Sequence, residues 1–345
     1  MNFIDRQIID VKLPFNLTKR YKSLFYPAKF DLHQTNVLRL QNLDVTNDGL
    51  CFQKGKLIKG CAQSYEHKIP IFERSGFIQL RKNQTQELSS NYQHLFIHHP
   101  WSSNYYHWFT EAIPRIWKVK SELDSLVLVI PEHLMNLTFV KESISTFKFK
   151  EIIQVPVNLN LRVPNAVVPE IKPTCFSYDP HVAAEIARHF NQFADLKKTE
   201  LSMPIEFAYI IRGKNSKREI VNEDAVIKKL NEYKITSIDA RNYSLIDQVN
   251  ISKKLKLLIS NGSGLTNMIF MDRHSAVLEL HKQLTNMNDF HDKVLWHLAS
   301  VLDLTYFHQE CEPERRGADM YSANLKVNIS LLEKNVVKCL ELLNQ

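Results

Sequence analysis

The 345-residue sequence has no run of 18 apolar residues, no CxxC pair, no internal repeat and no low-complexity tract. Without such an apolar run, no membrane-spanning helix is expected. The five cysteines, Cys51, Cys61, Cys175, Cys311 and Cys339, are an odd number at wide spacings. They are too sparse to staple a chain of this length, which points to a reducing, cytoplasmic setting. The first residues, MNFIDRQIIDVKLPF, carry charges where a signal peptide needs an apolar core, so no secretion signal is expected. His94, His98, His99 and His107 fall in no HExxH or Cys/His spacing, and no metal site is expected. No GxxxxGK[ST] or GxSxG motif supports an ATPase or an esterase. Zinc-finger spacing, an RNA-binding signature and a basic stripe with interleaved aromatics are all missing, which argues against a nucleic-acid partner.

What is present is ordinary globular composition, 44% hydrophobic and 23% charged, with a net charge of +7 spread along the chain. The mild positive field suits phosphate-bearing substrates or peripheral contact with an anionic membrane face. The length suggests two domains. Residues 1–85 mix short β-like stretches with turn signals and predict a β-rich portion. Residues 86–195 alternate strand and helix, with a helix over 105–123, strands over 126–130, 152–155 and 166–168, and a helix over 181–193. A polar stretch at 195–204 predicts a linker. Beyond it, strands over 207–211, 236–238 and 255–259 alternate with helices over 223–233 and 244–253, the βαβαβ core of a Rossmann-like domain spanning 205–325. Strands over 276–280 and 304–307 extend its sheet. Residues 326–345 predict a terminal helix packing back on the first domain, which ends at 195. The fold class is α/β.

Three constellations carry chemistry. The strand 255–259 runs into Ser260, Asn261, Gly262, Ser263 and Gly264, after which a short helix begins with Leu265 and Asn267. Glycines let a phosphate approach the backbone, and a helix start offers N–H groups to it. Glu279 ends the next strand about where a ribose-reading acid lies in dinucleotide folds. A plain strand-to-helix turn is the alternative. In the second constellation, His107, Glu111 and Arg115 recur at four-residue spacing on a helix otherwise covered by apolar residues such as Trp108. Either Glu111 bridges His107 and Arg115 in a buried network, or the stripe lines a cleft where Glu111 tunes His107 and Arg115 meets an anion. Pro114 should kink that helix. The third is Arg212 at a strand end, with Arg218 on a mobile loop at 213–217 able to fold over a diphosphate.

Together these segments resemble glycosyltransferase family 61, which includes bacterial capsule and surface-polysaccharide transferases. The resemblance rests on His107, Trp108, Glu111, Pro114 and Arg115, then Arg212, Arg218, Asn222 and Glu223, then Gly262, Gly264, Leu265, Asn267, Phe270 and Glu279. One departure is Asn261, where many members have histidine, a residue able to carry charge where asparagine cannot. The resemblance implies the GT-B plan of two facing Rossmann-like domains, and inversion at the anomeric carbon without a metal or other cofactor. The donor would be a nucleotide sugar, UDP- or CMP-linked, held by Arg212, Arg218, Asn261, Gly262, Ser263, Gly264, Asn267 and Glu279. The acceptor would be a glycan or lipid-linked glycan at the inner face of the membrane. His107 or Glu111 would serve as base, and Trp108 and Arg115 would be acceptor-side or structural. Two alternatives remain at this stage: a non-catalytic nucleotide- or glycan-binding relative, and a nicotinamide-dependent oxidoreductase using the Gly262 turn.

Overall fold

Short aliphatic runs closed by proline, glycine or polar residues become strands in the computed structural model, which describes residues 6–197, 205–213, 218–283, 293–318 and 322–344. Two compact units emerge, one built on residues 33–177 and the other on residues 8–32 with 178–345. The early segment carries a two-stranded sheet of β1 (Arg6–Asp10) and β2 (Lys29–His33). Residues 8–32 thus belong to the second unit, not to the first domain that the sequence suggested. Their aromatics decide this: Phe25 packs edge-on against Trp296 at 5.0 Å and Phe30 stacks on His297 at 5.2 Å. Such distant partners leave no local signal.

In the first unit, β3 (Val37–Val45), β4 (Cys51–Gln53), β5 (Lys56–Leu57), β6 (Gln84–Glu87), β7 (Gln93–Leu95), β8 (Leu126–Pro131), β9 (Glu151–Val155) and β10 (Leu159–Pro169) form one sheet. Its order is β5-β4-β3-β10-β7-β8-β9, with β6 beside β10. β7 to β10 pair in parallel, and β3 joins β10 antiparallel. The β-rich portion is therefore the antiparallel flank of the same sheet. It also contains a helix absent from the sequence reading, α1 (Ile69–Lys82). Gly76 weakens its helical signal, yet a Cβ there would lie 2.5 Å from the Phe52 ring, so close packing requires the glycine. From β7 to β8 the chain passes through α2 (Tyr105–His107), a π-helical turn (Trp108–Ala112) and α3 (Ile113–Trp117). α4 (Glu132–Met135) and α5 (Thr138–Ile144) lead on to β9.

The second unit opens with α6 (Pro180–Asp195) and continues through β11 (Phe207–Ile210), α7 (Glu223–Glu232), β12 (Thr236–Ile238), α8 (Leu245–Ser252) and β13 (Leu257–Ser260). A 3-10 helix (Gly262–Phe270), β14 (Ala276–Lys282), α9 (Val294–Val301), β15 (Thr305–Pro313), β16 (Leu325–Lys326) and α10 (Ile329–Leu343) complete it. The sheet order β12-β11-β13-β14-β15-β16 is parallel from β12 to β15. All four residues of β13 are buried, as befits a strand covered on both faces. The terminal helix α10 packs within this unit: Leu332, Val336 and Cys339 enter the core formed by Tyr209, Leu278 and Phe307. It is the helix expected over residues 326–345. The expected linker falls largely on residues 198–204, and the 213–217 loop on 214–217, both outside the described residues. Among the described residues, no helix is long and apolar enough to cross a membrane.

Candidate functional site

Asn104 caps the helix after β7, its side chain accepting from the N–H groups of Tyr106 and His107. Pro114 offers no N–H, and the turn before it widens: Ile113 N–H reaches back five residues to the Trp108 carbonyl. The expected kink is thus a π turn, and it separates the stripe. Glu111 Oε2 lies 3.0 Å from His107 Nδ1 and 3.2 Å from His99 Nε2, so the carboxylate bridges two imidazoles. Burial alone would raise the Glu111 carboxyl; His107 and then His99 outweigh it and hold the group well below the usual carboxylate range. Burial pushes the His99 imidazole down, against the pull of Glu111.

Arg115 does not join this pair by a hydrogen bond, contrary to the bridged reading. Its Nε donates to the Pro169 carbonyl at 2.6 Å, and Nη1 donates to the carbonyls of Ile97 at 2.7 Å and His98 at 3.2 Å. Only 2% of the residue is exposed, which leaves no approach for an anion. Arg115 therefore fixes the ends of β7 and β10 from beneath. Trp108, fully buried, donates through Nε1 to Ser143 Oγ on α5 at 2.8 Å and anchors the helix.

Lys172 was not visible from sequence. Phe96 N–H bonds the Val167 carbonyl, so the segments after β7 and β10 leave the sheet side by side at the same carboxyl edge. His99 and Lys172 follow on those two segments. Lys172 Nζ donates to the Cys175 carbonyl at 2.6 Å, and burial lowers its ammonium to about 8 while Glu111 pulls it back up. The only local hint would have been its position just past a strand end, and strand order is what gives that position meaning.

In the second unit the connection from β11 runs to β12 on one side, and the next runs to β13 on the other. The β11/β13 crevice is therefore the topological switch point, where ligands of open α/β sheets bind. Arg212 follows β11 and Asn261 follows β13. Arg212 Nη1 donates to the Asn261 carbonyl at 3.0 Å, Asn261 Nδ2 donates to the Arg218 carbonyl at 3.1 Å, and Ser260 Oγ donates to the Ile210 carbonyl at 2.8 Å. Gly262 sits at φ +69°, and a Cβ on it would be 2.6 Å from Arg212 Nη1 and 3.5 Å from Arg218 Nη2. A Cβ on Gly264 would meet Ser260 Oγ at 2.6 Å. Both glycines are thus required by close approach, the first also by conformation. Ser263 is half-buried in the first turn of the 3-10 helix, and the buried Asn267 donates to Gln248 Oε1 and the Gly264 carbonyl, each at 3.4 Å.

Two guanidiniums therefore share one turn. Burial, and then the neighbouring Arg218, pull Arg212 down to about 10. Arg218 is lowered by burial, with Glu279 opposing, and its Nε has no hydrogen-bond partner among the described residues. Two like charges held together lower one another, and an anion placed between them would offset that repulsion. Glu279 does not end its strand, as the sequence suggested. β14 runs on to Lys282 because its ladder with β15 continues to Cys311, which leaves Glu279 in register with Ser260 and accepting from Tyr306 OH at 2.7 Å. Among the described residues no three His, Cys, Asp or Glu side chains are grouped as metal ligands are.

Residues 105–278 match the family model described as Glycosyltransferase 61. No curated protein matches the chain.

Proposed function

Since the chain belongs to glycosyltransferase family 61 and is a glycosyltransferase, we propose that it transfers a sugar from a nucleotide-sugar donor to a glycan acceptor by one inverting displacement without a metal ion. Family membership sets aside the nicotinamide-dependent oxidoreductase. The observation that carries the donor reading is the pair Arg212 and Arg218 against Gly262 at the switch point of the second unit. Two permanent forks and the backbone N–H groups beside Gly262 suit the phosphates of a UDP- or CMP-linked sugar. They would stabilise the negative charge that grows on the leaving nucleotide.

The first unit supplies the base in this reading. His107 Nδ1–H donates to the Glu111 carboxylate, which assigns the basic lone pair to Nε2. The acceptor hydroxyl oxygen attacks the anomeric carbon, His107 Nε2 takes its proton, and the bond from that carbon to the phosphate oxygen breaks with its electron pair on the nucleotide. Glu111, buried and ionised, orients the imidazole, as the carboxylate of a histidine–carboxylate pair does. Such donor and acceptor roles for the two units correspond to the GT-B class. A glycan or lipid-linked glycan of a surface polysaccharide, reached on the cytoplasmic face of a membrane, is the acceptor class we favour.

The test is incubation with UDP-, CMP- and GDP-linked sugars and glycan acceptors, with the product's anomeric configuration read by NMR. Inverted product, formed equally well with a chelator present, is expected. Retained configuration, absence of turnover with every donor, or activity that requires an added divalent cation would overturn the corresponding part of the proposal.

A further inference from the structure

Past the end of β12, Asp239 and Arg241 form a rigid plate. Arg241 Nε donates to Asp239 Oδ1 at 2.9 Å and Nη2 to Oδ2 at 2.6 Å, while Asp239 Oδ1 also accepts the Arg241 N–H at 3.1 Å. This bidentate pairing fixes the guanidinium plane. One face of the plane lies on Gly213. A Cβ there would sit 2.4 Å from Nη2, 2.7 Å from Cζ and 3.0 Å from Nη1, so the whole fork rests on the glycine. Gly213 immediately follows Arg212. With that face covered, Arg241 is still 64% exposed along its side chain, so the opposite face is open to a ligand.

The loop bearing this plate is tied to the phosphate turn. Gln248 Nε2 donates to the carbonyls of Ala240 at 3.0 Å and Tyr243 at 3.2 Å, and its Oε1 accepts from Asn267 of the 3-10 helix. The plate therefore stands beside the β11/β13 crevice, one strand further along the carboxyl edge, an offset of about 4.8 Å. A ribose bridges an offset of that order. From this arrangement we propose that Arg241 is the shelf on which the nucleobase of the donor stacks, Asp239 and Gly213 holding it flat; the proposal rests on the donor reading of the second unit. Guanidinium planes stack on bases irrespective of base identity, so Arg241 sets affinity for a nucleoside over a bare diphosphate. An exposed arginine paired only for charge would need neither the flat seat on glycine nor the ties to Gln248.

Calorimetric titration of UDP, CDP, GDP, ADP and inorganic pyrophosphate into the wild type, Arg241→Ala, Arg241→Lys and Arg212→Ala tests this. Arg241→Ala should weaken the preferred nucleoside diphosphate about tenfold and leave pyrophosphate unchanged. Arg241→Lys, which keeps the charge and loses the plane, should weaken it as much. Equal weakening of both ligands, full rescue by lysine, or no weakening would overturn the shelf. Arg212→Ala should weaken both ligands; if it weakens neither while Arg241→Ala acts, the phosphate placement falls and the shelf stands. If the wild type binds no nucleoside diphosphate, the donor reading fails and takes the shelf with it.

Discussion

Glu111 and Arg115 are buried charges four residues apart on one helix, yet substitution should have different consequences at each. Glu111→Gln keeps the shape and removes the charge that His107 and His99 face. If His107 is the base that Glu111 orients, disturbing it is worth up to about 10²–10⁴ in rate, so kcat should fall by at least about a hundredfold with donor KM within a few-fold of wild type. A variant that only melts earlier and retains kcat would make the pair structural. Arg115→Ala instead strips the donor from the carbonyls of Ile97, His98 and Pro169. Removing one partner from such a buried charged network costs on the order of 3–5 kcal/mol. Denaturant unfolding should register that loss, and Arg115→Lys should recover little of it because an ammonium cannot reach three carbonyls as a fork. A loss below about 1 kcal/mol would mean that water substitutes for the guanidinium.

At the scale of the element, the turn between β13 and the 3-10 helix is constrained by close approach at both of its glycines, and it carries the proposed donor site. Gly262→Ala places a methyl 2.6 Å from Arg212 Nη1, at a φ of +69° that alanine resists. The expected outcome is nucleoside diphosphate affinity reduced about tenfold or more, with stability lowered by about 1–3 kcal/mol for the strained residue. Unchanged binding would show that Arg212 reaches the phosphates from elsewhere. This turn was legible in the sequence because an aliphatic strand, two glycines and a polar helix start are local signals, and the strands and helices of the second unit were legible for the same reason. α1 was not, since Gly76 weakens the local signal of a helix that Phe52 packing stabilises. His107 and Glu111 were readable from spacing, whereas His99 and Lys172 join them only through the parallel pairing of β7 and β10. Of the two roles read for Arg115, its bonds to three backbone carbonyls fit the structural one, while its bridge to Glu111 presumed an ideal helix where a π turn precedes Pro114.

Across the whole molecule, neutral histidines are buried in both units, and this fixes how stability must depend on pH. Burial and Arg115 hold His98 at about 3 in the first unit, and burial holds His281 at about 4 and His308 at about 3 in the second. His281 Nδ1–H donates to the Lys282 carbonyl at 2.6 Å, so its Nε2 accepts from His308 Nδ1–H at 3.1 Å, a network complete only while His281 is neutral. An unfolded histidine titrates near 6.5, so below that pH the unfolded chain binds protons that the folded chain refuses. Stability is therefore fully present above about 6.5 and falls as the pH drops toward the folded values, by up to about 1.4 kcal/mol per pH unit for each group. Carboxylates contribute little before about pH 5, which leaves a window for the histidines alone. Thermal melts at pH 7.5, 6.5 and 5.5 should show a nearly constant melting temperature over the first step and a drop of several degrees over the second. His281→Gln, which removes one buried base from the pair, should flatten that second step. A melting temperature that stays level down to pH 5.5 would mean that these rings gain protons in the folded protein as readily as in the unfolded chain, and that their burial is not what the packing around Phe25, Tyr21 and Arg115 requires.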